Sequence, residues 1–487
     1  MITVQEQKFG GSKEMTLSGS LRRAALTLLR LITRGRSIAP LGWLVARLPT
    51  ALRVRVKQSL VGVAAGTPWT PALSFQPSAI SELQDIPLEN AIPCNSSGVN
   101  LIGYVHGGLG LAENVRSFAR ALSAVCFPFT LIDANVLAPD RNIDNSLTIN
   151  VNTDAKFDVD LYFVNPDQLH AVLQTLGSRS DHYRIGYWFW ELERVPDEWI
   201  AAIDLVDEIW VSSRFVQKAF SQVTAKPVIL IPMAVEIDEF RIGSMLDDRR
   251  DQRVFTFLFG FDFHSYIERK NPVAIIDAFR AAFPADREDV RLVLKSINGD
   301  IFQSQFYELI EYALKDPRIV IQDGFISRRQ MIALMASADA YVSLHRSEGF
   351  GLGLAESMCL GKPVIGTAYS GNLEFMTPDN SCLVDYVMTE VKPGDYMHGE
   401  GQCWAAPDIN DAARHMQRLV DDPAYATALG ARAAVDMRAL HSRTQCSQIA
   451  ISRLRQICRQ RDSGTRHEVD DNHKNKIDHG DLPCTAT

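Results

Sequence analysis

The chain has 487 residues, of which 46% are hydrophobic and 22% charged, and its formal net charge is −8. This composition is typical of a soluble globular protein of two or three domains, and the negative charge argues against nucleic-acid binding. The eight cysteines show no CxxC pair and no spacing typical of a metal site. The first twenty residues are polar and of mixed charge, so we expect no cleaved signal peptide, and no apolar run reaches the roughly 18 residues that a membrane span needs. We therefore expect a cytoplasmic protein with reduced thiols.

Residues 1–95 form a basic leader followed by a linker. No acidic residue lies between Glu14 and Glu82, whereas leucines and valines recur at helical spacing among the arginines of residues 20–65. This pattern predicts amphipathic helices that can lie in an anionic membrane surface. A helix packed on the folded body, or an oligomer interface, explains the same pattern equally well. Residues 66–95 are rich in proline and serine, which favours a linker.

Apolar strands alternate with amphipathic helices from residue 99 onward, which predicts parallel, doubly wound sheets. The polar run at 240–253 interrupts this rhythm and is the best candidate for an interdomain linker. We therefore predict two Rossmann-like domains, at 96–240 and 241–462, that face each other across a cleft. The polar segment 463–487 is predicted to be a disordered tail.

The stretch SEGFGLGLAESMCLGKPVIGT, at 347–367, reads as a glycine loop, a short helix and a strand. Its alternating glycines, at 349, 351 and 353, would let a ligand approach the unpaired N–H groups of the helix, which suit a phosphate. The two flanking glutamates suit sugar hydroxyls instead. A nucleotide sugar carries both kinds of group, although close packing of helix on strand explains the glycines as well.

Residues 99–460 resemble glycosyltransferase family 4, the retaining enzymes of the GT-B fold also described as glycosyl transferases group 1. The most specific match is a pair of glutamates separated by seven residues, Glu348 and Glu356. The resemblance implies that Glu356 holds the ribose hydroxyls of the donor nucleotide and that Glu348 faces the donor sugar. The backbone around Phe350 and Gly351 would lie beside the sugar and the diphosphate.

The same resemblance assigns catalytic cations to the segment that ends in IERKNP. Lys270 matches a lysine with which the family clamps the diphosphate, and Arg269 beside it would replace an arginine that the family usually places earlier. These cations, together with Glu348, are the predicted catalytic residues, and no metal is expected. A surface Arg-Lys pair is the alternative interpretation.

The first predicted strand is followed by a second glycine-rich turn. The resemblance implies that Gly107, Gly108 and Gly110 face the donor phosphates. Glu113 and Arg116 follow on the helix and are expected to reach the cleft, although both would also suit an exposed helix face.

The segment YRIGYWFWELE departs from the family pattern. Many relatives have a histidine near the reacting sugar, whereas Trp190 and Glu191 stand at that position here. We expect Trp188, Trp190 and Glu191, together with Glu113, to line the acceptor side, because aromatic rings stack on sugars and carboxylates orient hydroxyls. Core packing of the tryptophans remains an equal alternative. The Asp-Val-Asp run at 158–160 resembles a metal site, but its place at the start of a strand argues against one.

These features predict a retaining hexosyltransferase of the α/β class. We expect it to move a mannose- or glucose-type sugar from a nucleotide sugar to a glycan or lipid-linked saccharide, peripherally on the inner face of the membrane, in surface polysaccharide biosynthesis. Two alternatives remain: a phosphorylase or sugar-phosphate synthase of the same fold, and an inactive transferase-like scaffold subunit.

Overall fold

The computed structural model describes most of the chain from Gly98 onward. The described residues are 98–107, 110–134, 147, 151–152, 154–177, 181–237 and 254–474, with side chains described as far as residue 461. The predicted leader and the predicted interdomain linker lie outside these ranges. Among the described helices, none combines the length and the apolar character needed to cross a membrane.

The N-terminal domain is built on a parallel sheet whose strand order, within the described residues, is β2-β1-β3-β4-β5-β6. The strands are β1 (Val99–Gly103), β2 (Phe129–Asp133), β3 (Val159–Phe163), β4 (Tyr183–Tyr187), β5 (Glu208–Val211) and β6 (Val228–Leu230). The helices are α1 (Gly110–Ala124), α2 (Pro166–Leu176), α3 (Ile200–Ile203) and α4 (Arg214–Ser221). Every residue of β1 and β3 is buried, as expected of parallel strands covered on both faces.

The C-terminal domain has a second parallel sheet, with the strand order β12-β11-β10-β7-β8-β9. Its strands are β7 (Phe255–Asp262), β8 (Val290–Ile297), β9 (Ile319–Asp323), β10 (Ala340–Ser343), β11 (Val364–Thr367) and β12 (Cys382–Val384). The helices of this part of the chain are α5 (Ile267–Lys270), α6 (Pro272–Ala282), α7 (Gln303–Ala313), α8 (Arg328–Ser337), α9 (Leu352–Cys359), α10 (Ile409–Asp421) and α11 (Pro423–His441). The strand order reverses between β7 and β10, where Rossmann-like sheets bind their ligands.

A two-stranded antiparallel ribbon, formed by β13 (Tyr386–Glu390) and β14 (Cys403–Pro407), is inserted after β12. No pattern in the sequence predicted this ribbon. Its connecting loop, residues 391–402, reaches the other domain, where Val391 and Tyr396 pack in one hydrophobic cluster with Trp190 and Trp199. The ribbon therefore belongs to the second domain by sequence and contacts the first in space.

The last helix, α12 (Arg443–Lys474), also returns to the N-terminal domain. Its buried residues Ile451 and Leu454 share a hydrophobic cluster with β1 and β3. Arg453 forms an ion pair with Glu208, whose side chain is fully buried in β5. The predicted domain 241–462 thus ends in a helix that packs on the first domain. The helix also continues past residue 463, where the sequence analysis placed the start of a disordered tail.

Candidate active site

The candidate active site is centred on Glu348, in the loop after β10. One carboxylate oxygen of Glu348 is bonded to Lys270 Nζ, and the other lies 3.1 Å from an Arg269 guanidinium nitrogen. Both cations come from α5, in the loop region after β7. The sheet order makes β7 and β10 neighbours at the point of reversal, so these loops meet at one edge of the sheet. The structure thus brings the three predicted catalytic residues together.

Arg269 is held on several sides of its guanidinium group. It donates to the carbonyl oxygens of Ser265, at 3.1 Å, and Ser347, at 2.9 Å. Across the interdomain boundary, Arg269 also faces Glu191, at 3.6 Å. Only 4% of Arg269 is exposed, so its charge is directed at these fixed partners. Arg269 therefore acts on the site by holding carboxylates in place, while Lys270 keeps two further ammonium hydrogens for other acceptors.

The charges of this cluster are strongly coupled. Burial alone would raise the pKa of Glu348, but the neighbouring Lys270 and Arg269 hold it down to about 2. Burial acts to lower the pKa of Arg269, but the carboxylates of Glu191 and Glu348 raise it overall. Burial lowers the pKa of Lys270 in spite of its carboxylate partner. Glu348 is therefore ionised at neutral pH, although only 8% of the residue is exposed.

The glycine loop that follows Glu348 serves both chemistry and packing. Gly351 is the N-cap of α9 and has a φ of 94°, a left-handed conformation that favours glycine. At Gly349 an added Cβ would lie 3.3 Å from the carbonyl oxygen of Trp190 in the other domain, and at Gly353 it would lie 2.5 Å from the Tyr341 hydroxyl. Close packing therefore explains two of the three glycines. The first N–H groups of α9 still have no partner within the helix.

A second loop, residues 369–372, supports the backbone of Glu348. Ser370 Oγ accepts from the Glu348 N–H at 2.8 Å, and the Gly371 N–H donates to the Glu348 carbonyl at 2.8 Å. Ser370 has a φ of 77°, and Tyr266 and Asn271, which flank α5, have φ values of 63° and 52°. Left-handed backbone is costly for residues other than glycine and collects at functional sites. Its presence on two loops beside Glu348 supports a functional role for this cluster.

Glu356 lies on the first turns of α9 and is 2% exposed. Its carboxylate is 2.5 Å from Arg328, the first residue of α8, and Arg328 also lies 3.8 Å from Glu113 of the other domain. Burial raises the pKa of Glu356, and the ion pair with Arg328 only partly offsets this shift. Burial acts to raise the pKa of Glu113, but Arg328, Arg120 and Arg116 lower it overall.

This arrangement revises the predicted place of Glu113. Glu113 was predicted on the acceptor side with Glu191. In the structure it shares Arg328 with the predicted donor residue Glu356. Arg328 was not predicted at all. A signal was present, because an arginine at the first position of a helix is unfavourable next to the positive end of the helix dipole and so indicates a specific acidic partner.

The glycine turn after β1 is held from below by Arg116. This guanidinium donates to the carbonyl oxygens of Val105, at 2.9 Å, and Gly107, at 2.8 Å. An added Cβ at Gly107 would lie 3.2 Å from Ala112, whereas at Gly110 it would meet nothing within 4 Å. Gly107 thus has a packing role, and Gly110 has open space in front of it. The predicted residue Gly108 lies outside the described residues.

Aromatic residues that were predicted at the site have buried side chains. Trp188 and Trp190 are 0% and 1% exposed and belong to the core of the N-terminal domain. The ring of Phe350 packs against Phe375 and His441, with centroid distances of 5.1 and 5.5 Å. Burial therefore supports the alternative of core packing for the two tryptophans. For Phe350 the predicted donor contact was made by its backbone. That backbone lies in the glycine loop, and the packing of the ring does not change this position.

The Asp-Val-Asp run at the start of β3 has a structural environment. Asp160 accepts from Asn100 at 2.7 Å and lies 3.1 Å from His182 Nδ1. It is 4% exposed and stands at the end of the strand opposite to the candidate site. Within the part of the chain that the structure describes, no group of three or more His, Cys, Asp or Glu side chains is arranged to hold a metal ion.

Two parallel Rossmann-like sheets in two domains are the architecture of the GT-B fold. Residues 263–435, in the C-terminal domain, match the family model described as Glycosyl transferases group 1. The predicted resemblance to this group and the predicted GT-B fold are therefore confirmed. Retention of configuration and membership of family 4 stay predictions.

Solved structures of GT-B enzymes share the fold. The chain resembles Anabaena HepE in complex with UDP and glucose, with 14% identity, a TM-score of 0.52, and coverage of 74% of this chain and 100% of that one. It also resembles the sucrose-phosphate synthase of Thermosynechococcus elongatus, with 16% identity, a TM-score of 0.52, and coverage of 75% and 100%. A curated relative, the trehalose synthase of Rubrobacter xylanophilus, is 24% identical over 226 residues, or 43% of this chain and 48% of the relative. The chain thus spans about half the length of that relative.

The depressed pKa of Glu348 predicts a dependence of stability on pH. Because the folded-state pKa lies below the ordinary value of 4.5, ionised Glu348 stabilises the fold above about pH 4.5, and this contribution is lost as the pH falls towards 2. The shift corresponds to about 3 kcal/mol. We expect Glu348→Gln to lower the free energy of unfolding by about this amount near pH 6, and by clearly less near pH 3.

Urea unfolding of both proteins across this pH range measures the difference. Glu390→Gln, at an exposed glutamate of β13, is the control substitution. A difference between Glu348→Gln and the unsubstituted protein that does not change with pH would contradict an ionised, cation-paired Glu348.

Proposed function

We propose that this protein is a retaining hexosyltransferase that moves a glucose- or mannose-type sugar from a nucleotide-diphosphate sugar to a hydroxyl group of a saccharide. The observation that carries the proposal is the buried, ionised Glu348 held by Lys270 and Arg269 at the reversal point of the C-terminal sheet. A carboxylate that is fixed by cations can accept hydrogen bonds from sugar hydroxyls without reorganising.

The donor nucleotide would bind along α9. In this proposal Glu356 accepts hydrogen bonds from the ribose hydroxyls, and the N–H groups at the start of the helix face the diphosphate. Gly110 leaves open space on the opposite domain for the same phosphates. The solved structures of HepE with UDP and glucose favour a uridine nucleotide as the first candidate.

Binding of the ribose would bring its hydroxyls into competition with Arg328. Its guanidinium lies 2.5 Å from a Glu356 carboxylate oxygen and therefore competes with the ribose hydroxyls for that oxygen. The nearby carboxylate of Glu113, at 3.8 Å, can receive the displaced guanidinium. Donor binding would thus weaken the ion pair with Glu356 and leave the ion pair with Glu113, which joins the two domains.

The proposed reaction is a front-face substitution at the anomeric carbon. The acceptor oxygen forms a bond to this carbon while the bond to the diphosphate oxygen breaks and its electron pair passes to the diphosphate. That phosphate oxygen takes the proton of the acceptor hydroxyl, so no side chain has to serve as the base. Lys270 and the helix N–H groups would stabilise the departing negative charge, and we propose that no metal is required.

The acceptor would approach from the side of Glu191. Its carboxylate faces Arg269 and is 21% exposed, which suits a hydroxyl acceptor. A phosphate acceptor, as a phosphorylase or sugar-phosphate synthase would use, is disfavoured beside this negative charge. We further propose a glycan or lipid-linked saccharide acceptor at the inner membrane face, with the basic leader as the membrane contact and with a role in surface polysaccharide assembly.

Nucleotide binding tests the donor site. We expect UDP to bind with micromolar affinity in calorimetry, with GDP and ADP as comparisons and with magnesium absent and then present. Glu356→Gln should weaken binding by about 10- to 100-fold, because the hydrogen bonds to a charged carboxylate are lost. Since burial disfavours the ionised form of Glu356, this substitution is not expected to destabilise the fold at neutral pH.

Glu288→Gln, at an exposed glutamate before β8, is the matched control. Failure of all three nucleotides to bind would contradict the proposed donor class and favour the scaffold alternative. Binding only in the presence of magnesium would contradict the proposal of a metal-independent site.

Flotation with vesicles tests the membrane contact. The basic composition of residues 20–65 predicts that the full chain floats with vesicles containing anionic lipid and that a form lacking residues 1–65 does not. Neutral vesicles are the control for apolar adsorption. Equal flotation of both forms would contradict a role of the leader in membrane binding.

A further inference from the structure

The loop of the inserted ribbon, residues 391–402, joins the two domains beside the candidate site. Gln402 accepts from the Arg194 N–H at 2.9 Å and donates to the Arg194 carbonyl at 3.2 Å. Val391 and Trp404, at either end of the loop, are each 1% exposed in the core of the N-terminal domain. The loop is therefore fixed on the domain to which Glu191 belongs.

Tyr396 is the residue of this loop that reaches the polar cluster. Its hydroxyl donates to one carboxylate oxygen of Glu191 at 2.7 Å, and the other oxygen of that carboxylate faces Arg269 at 3.6 Å. The Arg269 guanidinium also lies over the Tyr396 ring, 5.7 Å from its centroid. Since Arg269 contacts Glu348 directly, Tyr396 belongs to a continuous chain of contacts that ends at the proposed donor carboxylate.

Exposure differs among the members of this chain. Tyr396 is 8% exposed and Arg269 is 4% exposed, whereas the side chain of Glu191 is 21% exposed. A carboxylate has about four lone-pair positions, and Tyr396 and Arg269 face one position on each oxygen. Glu191 is therefore the member that retains both acceptor capacity and access to a ligand.

We propose that Tyr396 is a positioning residue for the acceptor, which directs the Glu191 carboxylate at the acceptor hydroxyl. This inference rests on the proposed transfer of a sugar to a hydroxyl group. The side chain of glutamate has rotational freedom, and a second fixed partner in addition to Arg269 restricts the carboxylate to one orientation. Loss of the tyrosine hydroxyl would leave only the longer contact, to a guanidinium that Glu348 also binds.

The tyrosine hydroxyl suits this role because it stays protonated. Burial raises the pKa of Tyr396 well above its usual range, and the negative charge of Glu191 raises it further. Tyr396 therefore remains a neutral hydrogen-bond donor to Glu191 at neutral pH.

The residues proposed to bind the donor nucleotide lie outside this chain of contacts. Glu356 forms its own ion pair with Arg328, and Lys270 binds Glu348 directly. A defect in the orientation of Glu191 should therefore reduce turnover and leave donor binding unchanged. A purely structural defect of the loop would instead lower the melting temperature and weaken donor binding too.

Steady-state kinetics of Tyr396→Phe separate these roles. The probe is UDP-glucose, and the measured reaction is the release of UDP as its glucose is transferred to water or to added glucose. If GDP is the nucleotide that binds, GDP-mannose with added mannose is used instead. We expect kcat to fall by about tenfold or more, which is the loss of one hydrogen bond to a charged group. The KM for the donor and the melting temperature should stay close to those of the unsubstituted protein.

Tyr312→Phe is the matched control, because Tyr312 also donates to a carboxylate, Asp277 at 2.5 Å, but lies on α7 away from the site. If Tyr396 acts through Glu191, then adding Tyr396→Phe to Glu191→Gln should cause no further loss. Equal rates for Tyr396→Phe and Tyr312→Phe would overturn the inference while the proposed function stands. Failure of the unsubstituted protein to release either nucleotide would overturn the proposed function and this inference with it.

Discussion

The buried negative charge of Glu348 is the constraint on which the rest of the site depends. An ionised carboxylate removed from water costs several kcal/mol unless cations and hydrogen bonds compensate for it. Lys270 and Arg269 supply this compensation, and both lie on α5, a single helical turn flanked by residues in left-handed conformation. Left-handed backbone thus occurs both beside α5 and at Ser370, in the loop that supports the Glu348 backbone. These costly conformations hold the groups that keep one carboxylate charged at the reversal point of the sheet.

The same constraint explains why the domains contact each other here. Arg269 has more donor hydrogens than Glu348 can accept, and Glu191 of the other domain faces its second nitrogen. At the other end of the site, Arg328 stands between Glu356 and Glu113 in a similar way. Each end of the cleft thus has one arginine of the C-terminal domain between two carboxylates of different domains. In the proposed function, ligand hydroxyls that replace one of these contacts would change the connection between the domains.

Strand periodicity in the sequence predicted the parallel sheets, because it depends on local patterns alone. Glu348, Glu356 and Lys270 were assigned through the resemblance to glycosyltransferase family 4, whose motif lies along one loop and helix. Contacts between distant segments could not be predicted in this way. Tyr396 lies in a loop without periodicity, and its contact with Glu191 depends on where the ribbon folds back. Trp188 and Trp190 were predicted at the acceptor side because the sequence does not indicate which way side chains point after a strand ends; both point into the core.

The central claim is tested most directly by the rate at which the Glu348→Gln variant releases nucleotide from the donor sugar. This substitution keeps the shape of the side chain and removes the charge that Lys270 and Arg269 hold in place. The account predicts that the release of UDP from UDP-glucose, or of GDP from GDP-mannose if GDP is the nucleotide that binds, falls by about 100-fold or more, since a preorganised charge at the reacting sugar is lost. The affinity for the free nucleotide should remain within about threefold, because Glu356 and α9 are unchanged. A release rate close to that of the unsubstituted protein would contradict the assignment of Glu348 as the centre of the active site.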